Sequence, residues 1–318
     1  MRKPVFISWA KLRRADSIAE KLGMSSHTIK YFYRGTPRIL TFFKYFLQSL
    51  HTFFLLLRRR PGLVFVTSPP VFAVIPVYVY SLIFRSRYVI DFHSGCFVEE
   101  VWRRWDRWQK FFAKRAVLNI VHNQDNARAI QDWGVRHAVL PSLPPVLSKP
   151  KTRAPSGGSL VVYICSFKPD EPVDVFLEAA RSLQQVDFAV TGHPPEEIRA
   201  RLPSNVRLTG FLAEDEYNQL LAGADLIVAL TTRPGTLLYG AQEAIALHKP
   251  LVLSRTPTLE AYFTSGVVFA ENSPAGLQQA IHHALARREE LSAQMASFEA
   301  RFRAEGEARL NEIWQKVK

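Results

Sequence analysis

At 318 residues, 47% of them hydrophobic and 22% charged, the chain is neither disordered nor fibrous, and it is long enough for two ordinary domain cores. Its net charge of +13 is concentrated: residues 1–150 carry 24 Lys and Arg against 8 Asp and Glu, a net of +16, while residues 151–318 carry 17 against 20, a net of −3. The first half therefore faces something anionic, with nucleic acid, a membrane surface and a phosphorylated substrate as candidates.

The opening "MRKPVFISWAKLRR" returns to basic residues before any apolar run long enough for a signal peptide, so none is expected. "VFIS" predicts a first strand over 5–8, "RADSIAEKLG" a helix closed by Gly23, "TIKYFY" a second strand, and residues 37–59 a long helix. Further strands are predicted over 62–68, 87–95 and 117–123. Residues 63–84 carry no charge over a length that could span a bilayer. Three prolines and the immediate return to "RYVIDFH" instead predict a strand, a Pro-Pro turn and a buried crossover helix there.

Five prolines and two glycines in "LPSLPPVLSKPKTRAPSGGS" mark a linker, placed at 141–157. Beyond it the chain alternates regularly. "LVVYIC", "VDFAVTG", "VRLTGF", "DLIVAL" and "PLVLS" read as strands, separated by helices over 172–183, 196–201, "AEDEYNQLLAGA" and "GAQEAIALH". Strands and helices alternating at this spacing predict a parallel α/β sheet in each half, with Rossmann-like order the most economical architecture. No solenoid repeat is present.

Taken in order, "SFKPDEPVDVFLEAA", "NVRLTGFLAEDEYNQLLAGADLIVAL" and "EAIALHKPLVLS", between residues 166 and 254, resemble the C-terminal domain of GT-B glycosyltransferases. The likeness is to the large retaining family 4, the group 1 superfamily, and its bacterial relatives. The first half is similar in architecture and in "IDFHSG", where such enzymes often carry a histidine on a strand-end loop. The resemblance implies two Rossmann-like parallel-sheet domains facing a central cleft. An N-terminal acceptor-side domain would occupy 1–140 and a C-terminal nucleotide-sugar domain 158–318, with the last helix packing back on the first domain. It also implies a nucleotide-sugar gripped mostly by the second domain, in agreement with the rule that parallel sheets bind ligands outside the carboxyl ends of their strands. The sequence departs from the family pattern at several positions. Of the two glutamates usually separated by seven residues, Glu243 matches the second and Gly235 stands at the first. The usual arginine and lysine after the first strand of this domain are replaced by Ser166 and Glu171, with Lys168 between them.

The candidate donor-binding residues are Glu243, for the ribose hydroxyls, Gly240, which would let backbone N–H groups approach the phosphates, and Lys168, Thr232 and Ser166. Glu243 is read as lying in the first turn of its helix, where a carboxylate also gains from the dipole. Arg233 is the candidate for neutralising the leaving diphosphate. Asp170 reads as the cap of the following helix, and Glu171 has no clear assignment. In the first half His93 is the candidate catalytic residue, as base, as donor to the acceptor or as a packed side chain. Asp91 would orient it, with Ser94, Gly95 and Arg13 lining the acceptor side and Arg14 beside Arg13.

No D-x-D motif occurs, and Cys96 and Cys165 offer neither a metal-ligand spacing nor a disulfide framework. No cofactor and no obligatory metal are therefore expected, the diphosphate being met by cations and helix dipoles. The expected activity is transfer of a sugar from a nucleotide-sugar to a glycan or lipid-linked acceptor, in polysaccharide biosynthesis. The expected location is cytoplasmic, peripherally attached to the inner face of the cell membrane. A nucleotide-sugar epimerase or hydrolase of the same fold stays open, as does a basic nucleic-acid-binding protein. Against nucleic acid as partner, "KYFLQSLHTFFLLLRRR" and "WRRWDRW" interleave cations with large apolar rings, which suits an anionic lipid surface.

Overall fold

The computed structural model describes residues 3–31, 38–147 and 158–318. The chain divides into two units, Met1–Ser142 with Glu305–Lys318, and Leu143–Ala304. The predicted linker meets this division at its start, and its residues 148–157 lie outside the described residues.

The first unit holds strands β1 (Val5–Ser8), β2 (Ser25–Thr28), β3 (Leu63–Ser68), β4 (Arg87–Phe92), β5 (Leu118–Val121) and β6 (His137–Val139), in the sheet order β2-β1-β3-β4-β5-β6. The second holds β7 (Ser159–Tyr163), β8 (Val186–Thr191), β9 (Val206–Gly210), β10 (Leu226–Ala229), β11 (Leu251–Ser254) and β12 (Val267–Ala270), ordered β12-β11-β10-β7-β8-β9. All pairings between these strands are parallel. The strand order reverses between β1 and β3 in one sheet and between β7 and β10 in the other. These are the switch points at which such sheets bind ligands.

Central strands such as β3, β7 and β10 are largely apolar because both faces are covered. Val64 and Val66 of β3 join one core cluster with Val74, Val77 and Tyr80, while Phe65 between them joins another with Phe6, Leu118 and Ile120. Leu310, Ile313 and Val317, from the end of the helix Arg288–Val317, lie in that second cluster. In the other unit, Val161, Tyr163 and Val228 face one side of the sheet and Val162, Ile227 and Leu253 the other.

Residues 63–84 form β3, a short 3-10 turn (Val71–Ala73) and the helix Val74–Phe84 rather than one long span. The second strand lies earlier than "TIKYFY" suggests. Gly23, at φ +64°, turns the chain so that Ser25 registers with Val5. The pairing runs to Thr28 opposite Ser8; the Ile29 N–H then donates to the Ser8 carbonyl and the Ile29 carbonyl accepts from Gln48 Nε2 at 2.6 Å. Residues 32–37, the rest of that predicted strand and the predicted start of the long helix, lie outside the described residues.

That helix, Arg38–Arg59, is built inside out. Among its described side chains the fully buried ones are Gln48, Thr52 and Leu56: Thr52 Oγ1 accepts from Trp9 Nε1 at 3.0 Å and donates to the carbonyl of Gln48 at 2.7 Å, while Gln48 donates through Nε2 to Ile29 and its Oε1 is buried without a partner among the described residues. Phe42, Phe46, Leu50 and Phe54, at four-residue spacing, are exposed instead, Phe42 by 80% and Phe54 by 62%. The helix Val74–Phe84 packs beside it and adds exposed Ile75, Val79, Leu82 and Ile83. Residues 40–59 are long and apolar enough to cross a membrane by length and composition, yet Gln48, Thr52 and Leu56 hold them against the first unit.

Candidate active site

In the second unit, the loops leaving β7 and β10 meet at the switch point and are joined by Asp170. Its carboxylate accepts from Thr231 Oγ1 at 2.9 Å and pairs with Arg233 at 3.1 Å, and its backbone carbonyl accepts from the N–H of Thr232 at 2.7 Å. The Arg233 N–H donates to Thr231 Oγ1 at 3.0 Å. Behind the loop, the Thr231 N–H donates to Ser254 Oγ, which donates to Asn272 Oδ1, and Asn272 Nδ2 returns to the Thr231 carbonyl. Asp170 is thus a fastener between two loops and not a helix cap. The helix it precedes, Val173–Arg181, begins at Pro172 without a side-chain cap. Sequence proximity pointed to the cap, whereas the partners lie about sixty residues away.

Glu171 has a defined place too. Its carboxylate accepts from the N–H groups of Ser166 at 3.0 Å and Lys168 at 2.7 Å, and from Ser166 Oγ at 3.2 Å. The predicted donor residues Ser166 and Lys168 therefore sit in a loop organised around Glu171, with the Lys168 side chain exposed. Gly240, in the first turn of the helix Tyr239–Ala246, leaves space that faces Ile164: a Cβ there would lie 3.0 Å from two of its side-chain carbons. Its lack of a side chain serves close packing of helix against loop. Glu243 is mid-helix rather than in the first turn, so the dipole argument falls away. It is buried, and Oε2 accepts from the Tyr217 hydroxyl at 2.7 Å, a contact absent from the sequence reading.

In the first unit, a fully buried Asp91 near the carboxyl end of β4 collects three cationic or imidazole groups. Arg14, in the helix Arg13–Lys21, reaches both carboxylate oxygens, with Nε to Oδ2 and Nη2 to Oδ1 each 3.0 Å. Arg14 rather than its neighbour Arg13 enters the cluster. His93 Nε2 lies 3.4 Å and His122 Nε2 3.8 Å from the carboxylate, and the two rings are 4.3 Å apart. Burial works against the Asp91 charge, but Arg14, with His93 and His122, overrides it and holds the carboxyl well below the usual range. His122 is held well below the ordinary histidine value, by burial first and by the Arg14 charge next. Ser94 Oγ accepts from Asn126 Nδ2 at 2.9 Å, and Gly95 opens the short helix Gly95–Val98.

The sequence reading missed His122, although a signal existed. β4 and β5 are neighbours with Phe92 opposite Val121, and each strand is followed at once by a histidine. Asp91, His93 and His122 offer three ligand atoms within 4.8 Å of one another, the spacing of a metal site. The Arg14 guanidinium already spans the carboxylate, however, and a divalent ion placed there would meet a buried positive charge.

The chain can be superposed along nearly its whole length on several solved structures. It is similar to sucrose-phosphate synthase from Thermosynechococcus elongatus, at 11% identity over 99% of each chain with a TM-score of 0.77. It is similar to HepE of Anabaena in complex with UDP-glucose, at 15% identity over 100% of this chain and 98% of that one, TM-score 0.68. A Listeria monocytogenes protein described as a UDP-N-acetylglucosamine 2-epimerase shares the fold as well, at 12% identity over 93% and 91% of the two chains, TM-score 0.63. No curated protein sequence matches the chain. Fold and strand order thus define the class, a two-domain α/β protein of GT-B architecture. Residues 158–287 match the family model described as Glycosyl transferases group 1. That match lies wholly within the second unit.

Proposed function

We propose that the chain moves a sugar from a nucleotide-sugar, bound by the second unit, to a lipid-linked acceptor that the first unit meets at an anionic membrane surface. The observation that carries the donor half is the Asp170–Thr231–Arg233 fastening at the β7/β10 switch point. It gathers Thr232, Arg233, Lys168 and Ser166 at the carboxyl edge of a group 1 domain. Arg233 meets the diphosphate while Asp170 steadies its guanidinium, and Glu243, oriented by Tyr217, accepts from the ribose hydroxyls. The complexes of HepE with UDP and with UDP-glucose support a donor of this class.

In the first unit, His93 is the group that meets the acceptor hydroxyl. With its Nε2 3.4 Å from the Asp91 carboxylate, the ring leaves Nδ1 for the acceptor. No obligatory metal takes part, since Arg14 already balances Asp91. The inside-out helix supports peripheral attachment at the cytoplasmic face: an apolar outer row flanked by Lys44 and Arg58–Arg60 fits an interface better than water or a phosphodiester backbone. The experiment is a thermal-shift panel of UDP-, GDP-, ADP- and dTDP-sugars, with and without Zn²⁺. One nucleotide series should raise the melting temperature, with no need for the ion. No shift from any nucleotide would refute the donor reading.

A further inference from the structure

The first unit holds an apolar cavity of about 360 Å³, lined by Phe42, Tyr45, Phe46, Phe72, Ile75 and Trp105, with Thr41 and Ser49 added. Its volume falls within the range of about 300–1,000 Å³ typical of small-molecule sites. The wall is an aromatic ladder. Trp9 stacks on Tyr45 at 5.9 Å, Tyr45 on Phe72 at 5.0 Å, and Phe72 meets the edge of Trp105 at 4.8 Å. Trp9 directly follows β1, Phe72 follows β3 by four residues, and Trp105 belongs to the segment after β4. The ladder therefore stands on the carboxyl edge of the sheet, the edge that carries His93 and His122.

We infer that this cavity seats the hydrocarbon chain of a phosphate-linked lipid acceptor, so that the head of that lipid lies at the sheet edge beside His93. The inference rests on the proposed transfer to a lipid-linked acceptor and names the site that recognises it. The lining is almost wholly apolar, which selects a chain rather than a sugar or a nucleotide. The rim supplies the complementary charge. Lys44 lies 5.8 Å from the centre of the Tyr45 ring, and Arg103 and Arg107, both exposed, flank Trp105 in the sequence, with the Arg103 charge acting on Asp106 and Glu100. From Lys21 to Ile90 the sequence contains no Asp or Glu, so nothing acidic on that stretch repels a phosphate.

The probe is dodecyl phosphate carrying a diazirine near the end of its chain, used below its micelle concentration on the full chain. Photolabelled peptides are read by mass spectrometry, against inorganic phosphate as a chainless competitor and phosphatidylglycerol vesicles as a bilayer source. Labelling should fall on the peptides bearing Tyr45, Phe72 and Trp105 and resist inorganic phosphate. It should drop at least tenfold in Ser49→Trp and in Ile75→Trp, which fill the cavity from two sides. Both variants should still sediment with anionic vesicles and show the wild-type thermal shift with the nucleotide-sugar, which separates loss of the cavity from failure of the transferase reading. Label spread along the outer face of the long helix and unchanged in both variants would overturn the inference. So would competition by phosphatidylglycerol vesicles as effective as that by unlabelled dodecyl phosphate.

Discussion

Arg14→Met should destabilise the first unit in a pH-dependent way, and the structure sets the size of the effect. Asp91 is fully buried, Arg14 is 6% exposed, and the pair is joined through both carboxylate oxygens. Removing one partner of such a pair leaves a buried uncompensated charge and costs about 3–5 kcal/mol. Two imidazoles can answer that charge, at 3.4 and 3.8 Å. Arg14 is one of the groups that depress His122, so its loss lets His122 take up a proton at higher pH. Each pK unit of that rise returns at most about 1.4 kcal/mol once the histidine is charged. The wild type behaves oppositely. His122, depressed in the folded state, binds its proton less readily there than in the unfolded chain, so stability is full above the ordinary histidine value of about 6.5 and is lost as pH falls below it. Wild type and variant should therefore differ by the full penalty at pH 8 and by less at pH 5.5. All six tryptophans lie within Met1–Ser142 and Glu305–Lys318, so urea denaturation followed by tryptophan fluorescence reports this unit alone. Adding Asp91→Leu to Arg14→Met should recover most of the loss by removing the stranded charge. A cost below about 1 kcal/mol at pH 8, or an equal cost at both pH values, would refute the reasoning.

Glu243→Ala should weaken nucleotide-sugar binding by about 1.5–3 kcal/mol and Tyr217→Phe by about 1 kcal/mol, both measured by titration calorimetry. Unchanged affinity in Glu243→Ala removes it from the ribose. Arg233→Ala should lower kcat more than donor affinity, because diphosphate charge grows in the transition state; a kcat left intact ends that role. Phe54→Ser with Leu82→Ser, both outward-facing by 62%, should reduce sedimentation with anionic vesicles while leaving the melting temperature nearly unchanged. Sedimentation of the wild type should fade with added salt, since each cation contributes roughly 1 kcal/mol within a Debye length of the surface.

The sheets were legible because each buried strand writes both faces in apolar residues. "LVFVTS" and "LIVA" leave no polar alternation to be read otherwise. The stretch over 63–84 could be separated from a membrane span by its prolines and the immediate return to "RYVIDFH". What stayed hidden depended on strand order. Asp170 and Glu171 look like helix-start residues within "KPDEPV", and only the adjacency of β7 and β10 reveals that Asp170 faces Thr231 and Arg233. Arg14 and Asp91 are 77 residues apart, and nothing local distinguishes Arg14 from Arg13. The pairing of His93 with His122 follows from parallel register, a fact carried by no single segment. The outward apolar rings of the long helix were legible from the cations interleaved with them, but which residues face inward was not. The structure turns Gln48 and Thr52 inward, where Gln48 Nε2 donates to Ile29 and Thr52 accepts from Trp9.

The claim of glycosyl transfer is tested most directly by following the sugar. The protein is incubated with anionic vesicles containing a bacterial lipid extract and with nucleotide-sugars labelled in the sugar. Label should pass into the organic phase from one nucleotide-sugar, require the protein, and fall at least tenfold in Arg233→Ala and in His93→Ala, consistent with loss of one preorganised charge or one positioned base. Label recovered only as free sugar, or retained on the nucleotide as an isomer, would contradict transfer and assign hydrolysis or epimerisation to the same fold.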